Sequence, residues 1–252
     1  MQAYLDLHRH AAVRAALLDR PHVALRLMVA HAIADSPFWH VSAEPQQARS
    51  DAVQESIECC RGETVFDAKR RALLGLLGFD PEAPTVCGGQ VEGAEGDRLT
   101  AIFLRLLDLP DPAVMDVVAV LIGETLAAGS PAVEAVGIEL GVNMARWWQA
   151  DEAFLELLRD KEVLTCIVAD VAGNMVANAN DGEKGKTLRK IIADHLGGVD
   201  GRAKVDKWVP RWMAFPPSTY TTRGGVGTVS AYARAEAARP AAPAPEPQAI
   251  AA

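Results

Sequence analysis

The sequence predicts a mainly α protein: a multi-helix orthogonal bundle of two helical subdomains, followed by a disordered Ala/Pro-rich tail. Three observations carry this. Apolar residues recur at helical spacing along most of the chain, with start and stop signals at sensible intervals. No segment sustains the period-2 alternation of a half-buried strand, and VLTCIVAD, a candidate strand in isolation, continues into a longer helical pattern. Half of the 252 residues are hydrophobic, so a sizeable core can form.

Taken in order, MQAYLDLHRHAAVRAALLDR places Leu5, Val13, Leu17 and Leu18 on helical spacing. Pro21 suits the first turn of a second helix, PHVALRLMVAHAIAD, and the two predict a helical hairpin. SPFWHVSAEPQ reads as a linker broken by Pro37 and Pro45. Helices follow over 47–60 and 64–77. The second opens on a Thr64 cap and sets a Lys/Arg patch opposite Leu73, Leu74, Leu76 and Leu77. The Gly-, Pro- and acid-rich run 79–97 is the longest internal loop, and it divides the chain into residues 1–78 and 98–230.

Beyond it, helices are predicted at 98–108 and at 112–128; the latter is apolar on nearly all sides and so is expected to be central. A short Ser-capped helix at 130–141 follows, then helices at 151–158, 160–178 and 183–196. Residues 201–228 read as a short helix and then an extended segment. The remainder, 231–252, is rich in Ala and Pro, lacks packing residues and is expected to be disordered.

Composition excludes several function classes. The net charge is −8, which argues against a sleeve that neutralises phosphates along its whole length. The four cysteines include the neighbours Cys59 and Cys60 and form no C-x-x-C pair. Neither a disulfide framework nor a zinc site is predicted, and a reducing cytoplasm fits. No apolar run approaches the roughly 18 residues that span a bilayer, so no membrane contact is expected.

Candidate chemistry is sparse. Gly185-Lys186-Thr187 matches the end of a phosphate-binding P-loop, but the glycine required five residues earlier is Asn180. GGVGT at 224–228 follows no clear strand. His8 and His10 are two apart on a helix and face different directions, so no metal site is predicted. Asp151 and Glu152 suit the first turn of a helix. Trp147 and Trp148, as neighbours on a helix, would diverge by about 100°, one entering the core. No acid, base and nucleophile converge in a motif, so the expectation is a non-enzymatic protein without cofactor.

The stretch with most character is GRAKVDKWVPRWMAFPPSTYTTRGGVGT, residues 201–228. It gathers Trp208, Trp212, Phe215 and Tyr220 among Arg202, Lys204, Lys207 and Arg211, in a chain otherwise acidic and poor in aromatics. Just before it, EKGKTLRKIIADHLGG sets Lys184, Lys186, Arg189 and Lys190 mostly away from the stripe of Leu188, Ile191, Ile192 and Leu196. An amphipathic basic helix of this kind serves DNA phosphates or an acidic partner, or is a solvated face. The aromatics serve a partner surface or cement the last segment to the core.

These residues, from Glu183 through Gly225, resemble the C-terminal part of the ParB/RepB/Spo0J family in its plasmid-type, alphaproteobacterial branch. Residues 1–33 are similar to the helical segment after that family's helix-turn-helix, and GVNMARWWQADEAFLELLRDKEVL is similar to its middle region. The family's nucleotide-binding motifs, Arg-rich signature and helix-turn-helix have no counterpart among these residues. The resemblance therefore implies a module of DNA partition, with auxiliary DNA contacts, self-association or other partition proteins as partners, in the cytoplasm on nucleoid or plasmid. CTP binding and centromere reading do not carry over. The alternative is a scaffold or oligomerisation module that touches only protein.

Overall fold

The computed structural model describes residues 21–34, 40–43, 50–91, 93, 96–126, 128–222 and 227–239. The predicted helix within 1–20, most of the Pro37/Pro45 linker and residues 240–252 lie outside them. The described residues hold eleven α-helices and three 3-10 turns, and no strand. The mainly α class is as the periodicity predicts. The helices fall into two compact units, Met1–Leu126 and Ala127–Ala252.

The first unit contains α1 (Pro21–Ile33), α2 (Asp51–Glu58), α3 (Arg61–Leu77), α4 (Arg98–Leu107) and α5 (Asp111–Glu124). α1 packs on α4 and α5, and α3 on the same two helices. Val29, Ile33, Leu74, Leu77, Ile102, Leu106, Val114 and Val117 form the core between them. Among the described residues of this unit one charged side chain enters it: Arg26, 5% exposed. Its Nε and Nη2 donate to the carbonyls of Leu106 and Leu109 at 2.9 and 2.6 Å, and its Nη1 reaches Asp111 at 2.7 Å. Those carbonyls lie at and just past the end of α4, where helical N–H partners run out; Leu106 O otherwise has only the 3.2 Å bond from Leu109 N.

Two expectations for this unit are corrected, the cap of α3 and the central place of α5, and the Lys/Arg patch of α3 is found paired within the unit. α3 starts at Arg61, and its cap is the thiol of Cys60, which accepts from Glu63 N; Thr64 lies inside the first turn and donates back to Cys60 O. The predicted basic patch on that helix is spent at home. Lys69 pairs with Asp116 at 2.6 Å, Arg70 with Asp67, and Arg71 with Asp67 and Glu82. α5 buries one face, Val114, Val117, Val120 and Leu121, while Met115 and Ile122 are 51% and 55% exposed. Total apolarity did not make it central.

The largest correction concerns the loop at 79–97, which divides nothing. Phe79 and Val86 are core residues. Glu124 accepts from Thr85 Oγ1 and Val86 N, and Arg98 donates to Ile33 O and Gly89 O. A loop that carries two buried apolar side chains and ties both its ends to helices is part of one core. The division falls at Leu126/Ala127 instead.

The second unit contains α6 (Pro131–Glu139), α7 (Glu152–Leu157), α8 (Lys161–Ala172), α9 (Asn174–Ala179), α10 (Gly185–Gly197) and α11 (Gly227–Ala237). Ser130, Asp151 and Asp160 cap α6, α7 and α8 through side-chain oxygens. α8 and α10 pack on each other through Leu164, Ile167, Val168, Leu188 and Ile192, with α7 against α10 and α9 against α8. The single helix expected over 160–178 is broken at Gly173, whose φ of 88° and ψ of 160° suit glycine alone. Among the described residues of 202–222 the helical element is a 3-10 turn at Arg211–Met213, not the predicted short helix. The tail predicted from residue 231 is helical as far as Ala237, and Ala231 is fully buried where α11 packs on α6. An alanine-rich run has high helix propensity, and its small side chains permit close packing without large apolar groups.

On α6, Glu134 is 3% exposed, and burial pushes its carboxyl above the usual carboxylate range. A folded-state value above the unfolded one favours the protonated form. The stabilising contribution is then complete below the unfolded value, about 4.3, and is lost as pH rises through the folded value. Glu134→Gln is expected to melt higher than the parent at pH 7, with the advantage shrinking toward pH 4. Equal melting temperatures at pH 7 would contradict this.

Candidate nucleic-acid interface and an adjoining cavity

Leu188 and Ile192 anchor α10 in the core, so its cations face outward by periodicity. Lys184 is the residue before the first turn, Lys186 lies within that turn, and both are exposed. No acidic residue stands in the first turn, although Asp181 and Glu183 lie just before it. Arg189 is half-buried and donates to Leu158 O at 2.8 Å, closing the end of α7. Lys190 pairs with Asp194 one turn on at 2.8 Å. This contact raises the lysine's pKa and lowers the carboxyl's.

The other four predicted cations are elsewhere. Arg202 pairs with Asp200 at 3.3 Å and Lys204 with Asp206 at 3.0 Å, both just past the C-terminal end of α10. Lys207 is exposed there with a left-handed backbone, φ 64°, an uncommon state for a side chain of its kind. Arg211 reaches Asp170 on α8 at 2.7 Å and lies 4.8 Å above the Tyr220 ring. A 13-residue helix is about 20 Å long, so Lys184 and Lys186 are separated by α10 from Lys204 and Lys207. The eight cations form two groups and a lone arginine, and not the continuous surface expected. Four acids, Asp170, Asp194, Asp200 and Asp206, further reduce its charge.

The aromatics resolve toward the core. Trp208 and Trp212 pack against the core of the second unit, and Tyr220 is buried within it. Tyr220 Oη accepts from Arg211 N at 3.1 Å, and its ring meets Trp212 edge-on at 4.8 Å. Burial pushes its phenol well above the ordinary value. Phe215 lies against Gly137 of α6. None of the four is the outward partner surface that the cation-rich sequence around them suggests.

Beside Trp208 the fold leaves a cavity of about 520 Å³ that was not foreseen. Trp148 and Trp208 line it with Leu155 and Leu196, and their rings lie 6.3 Å apart at 54°. Phe154 meets Trp148 edge-on at 5.1 Å. Asp151, Glu152, Lys204, Asp206 and Lys207 supply its charges. Trp147 and Trp148 are not helical neighbours; they follow a 3-10 turn at Met144–Arg146, which leaves Trp147 exposed and turns Trp148 to the cavity. The only sequence signal was the Trp-Trp pair just before Asp151 and Glu152.

Gly185-Lys186-Thr187 forms the first turn of α10 after helix α9 and a turn, with no strand before it, so the P-loop arrangement is absent. Among the described residues no three His, Cys, Asp or Glu side chains come close enough to hold a metal ion. No helix among them is long and apolar enough to cross a membrane. Comparison with protein-family models, curated proteins and solved structures finds no match to this chain.

Proposed function

We propose that this chain is a non-enzymatic module of a ParB-like DNA partition protein that gives auxiliary contacts to DNA phosphates. In this reading it works in the cytoplasm on nucleoid or plasmid, alongside other partition proteins. The observation that carries the DNA contact is the start of α10. There Lys184 and Lys186 stand exposed without an internal partner, at a helix end whose dipole favours an anion. Lys190 adds to them on the same helix. Asp181 and Glu183 weaken the local potential, so binding belongs at low salt. The test is titration of the chain on duplex DNA at two salt concentrations. The expected result is weak binding whose logarithm falls linearly with the logarithm of salt. Lys184→Ala with Lys186→Ala should reduce that slope by roughly 2. Absence of binding at low salt overturns the reading.

The alternative, a protein-only self-association module, has its own observation. Met115, Val118 and Ile122 form an apolar stripe on α5 that the first unit leaves partly exposed. Trp212 packs, half-buried, against the core of the second unit and Phe215 lies against Gly137, so this reading rests on α5 instead. Light scattering over a range of concentrations decides: a dimer lost on Ile122→Glu supports this reading, and a monomer throughout removes it.

A further inference from the structure

We propose that α11 is a pH-responsive latch, seated on α6 while the Glu134 side chain is neutral and let go by local unfolding as that side chain ionises. The inference does not rest on DNA binding.

α6 buries Glu134 and Gly137, one turn apart and therefore on one face. α11 is the helix packed on α6, and the Phe215 ring lies against Gly137. Glu134 is 3% exposed, yet among the described residues no hydrogen bond or ion pair engages its carboxyl. On α11 the inward positions are Thr228, Ala231, Tyr232 and Ala235, spaced as one helix face. Thr228 Oγ1 is buried there without a hydrogen-bond partner. A buried polar group that lacks a partner opposes burial, and these two packed helices each carry one. The apolar gain that offsets them is small, since Ala231 is the fully buried residue of α11. An element with so little apolar burial is drawn from the part of a fold that opens locally, and a charge on Glu134 then shifts the balance.

The surrounding charges leave Glu134 to itself. Burial alone raises its carboxyl above the usual range, with no neighbouring charge contributing. On α11, Arg234 and Glu236 are exposed, and Tyr232, half-buried, is the titratable group on the inward side. On α6, Glu139 is exposed. The 3-10 turn Arg211–Met213 also packs on α11, and its Arg211 is engaged with Asp170 at 2.7 Å. Burial disfavours the carboxylate, so the seated helix favours the proton. The latch is fully closed below the unfolded value, about 4.3, and loosens as pH rises through the seated value. Loss of the Arg211–Asp170 pair on acidification would act in the opposite sense.

Amide hydrogen exchange read by mass spectrometry tests this on the intact chain at pH 5 and pH 8, with labelling times scaled for the intrinsic exchange rate. The readout is the protection of α11 relative to that of α8, whose Leu164, Ile167 and Val168 are core residues. The ratio cancels any change in the stability of the whole unit. In the parent it should fall by at least about fivefold from pH 5 to pH 8. Glu134→Gln, a neutral side chain of the same size, should hold the ratio near the parent's pH 5 value at both. Tyr232→Phe should keep the parent response, which excludes the other titratable group on that side. An unchanged ratio in the parent overturns the proposal whatever the variants do. A full pH response in Glu134→Gln overturns it too, as does its disappearance in Tyr232→Phe.

Discussion

Replacing Arg26 with alanine is expected to cost the first unit about 3–4 kcal/mol. The side chain is nearly buried, and it donates to two carbonyls at and just past the end of α4. Removing it strips Leu109 O of this donor and leaves Leu106 O with only the 3.2 Å bond from Leu109 N. Hydrogen bonds to a charged group are worth about 1.5–3 kcal/mol, and a buried acceptor left unpaired adds its own desolvation cost. Asp111 is 65% exposed, so the ion pair itself contributes little, and Asp111→Asn should cost less than about 1 kcal/mol. Because the chain has two units, a single unfolding transition would blur the effect. Native-state hydrogen exchange on the amides of α4 and α5 localises it. Arg26→Ala should lower protection there by about two to three orders of magnitude. An Arg26→Ala effect no larger than that of Asp111→Asn would show that the carbonyls find other partners.

Gly137→Val should destabilise the second unit by about 2–3 kcal/mol. A Cβ built on Gly137 lies 2.3, 2.5 and 2.7 Å from carbons of the Phe215 ring. Three ring atoms at that range cannot be cleared by a small rotation, so the ring or α6 must move, and overpacking of this kind typically costs 1–3 kcal/mol. Alanine at this position gains about 1 kcal/mol of helix propensity over glycine, yet meets the same ring. Gly137→Ala is therefore expected to be net destabilising, by less than valine. Phe215→Leu should rescue part of the Gly137→Ala loss, a coupling that a double-mutant cycle measures directly. Urea unfolding followed by tryptophan fluorescence reads both. Gly137→Val without loss of stability would mean that Phe215 has room to withdraw.

Much of the helix inventory was legible along the chain. Ser130 and Asp151 stand where α6 and α7 begin, and the stripe of Leu188 and Ile192 faces inward on α10 as the spacing predicts. Such features depend on neighbours within one or two turns, so a linear reading captures them. Cys60 escaped it because a thiol is an unusual cap, and the break at Gly173 because a lone glycine within a helical pattern is ordinarily tolerated. The candidate site was less legible. Arg211 finds Asp170 across 41 residues, and Trp148 finds Trp208 across 60. Nothing in the spacing of either pair announces the contact.

The sequence by itself determined the helical class, the outward placing of Lys184, Lys186 and Lys190 and the acidity of the chain, since periodicity and composition are local or additive properties. Tertiary structure alone decided that the 79–97 loop joins a core, that the aromatics at 208–220 pack inward, and that the basic stretch divides at the two ends of one helix. It alone assembled the cavity from α7, the end of α10 and the segment at 204–208. The physical reason is the same in each case. Which charge is neutralised and which ring is covered depends on side chains brought together across long separations, and burial is a property of the packed chain.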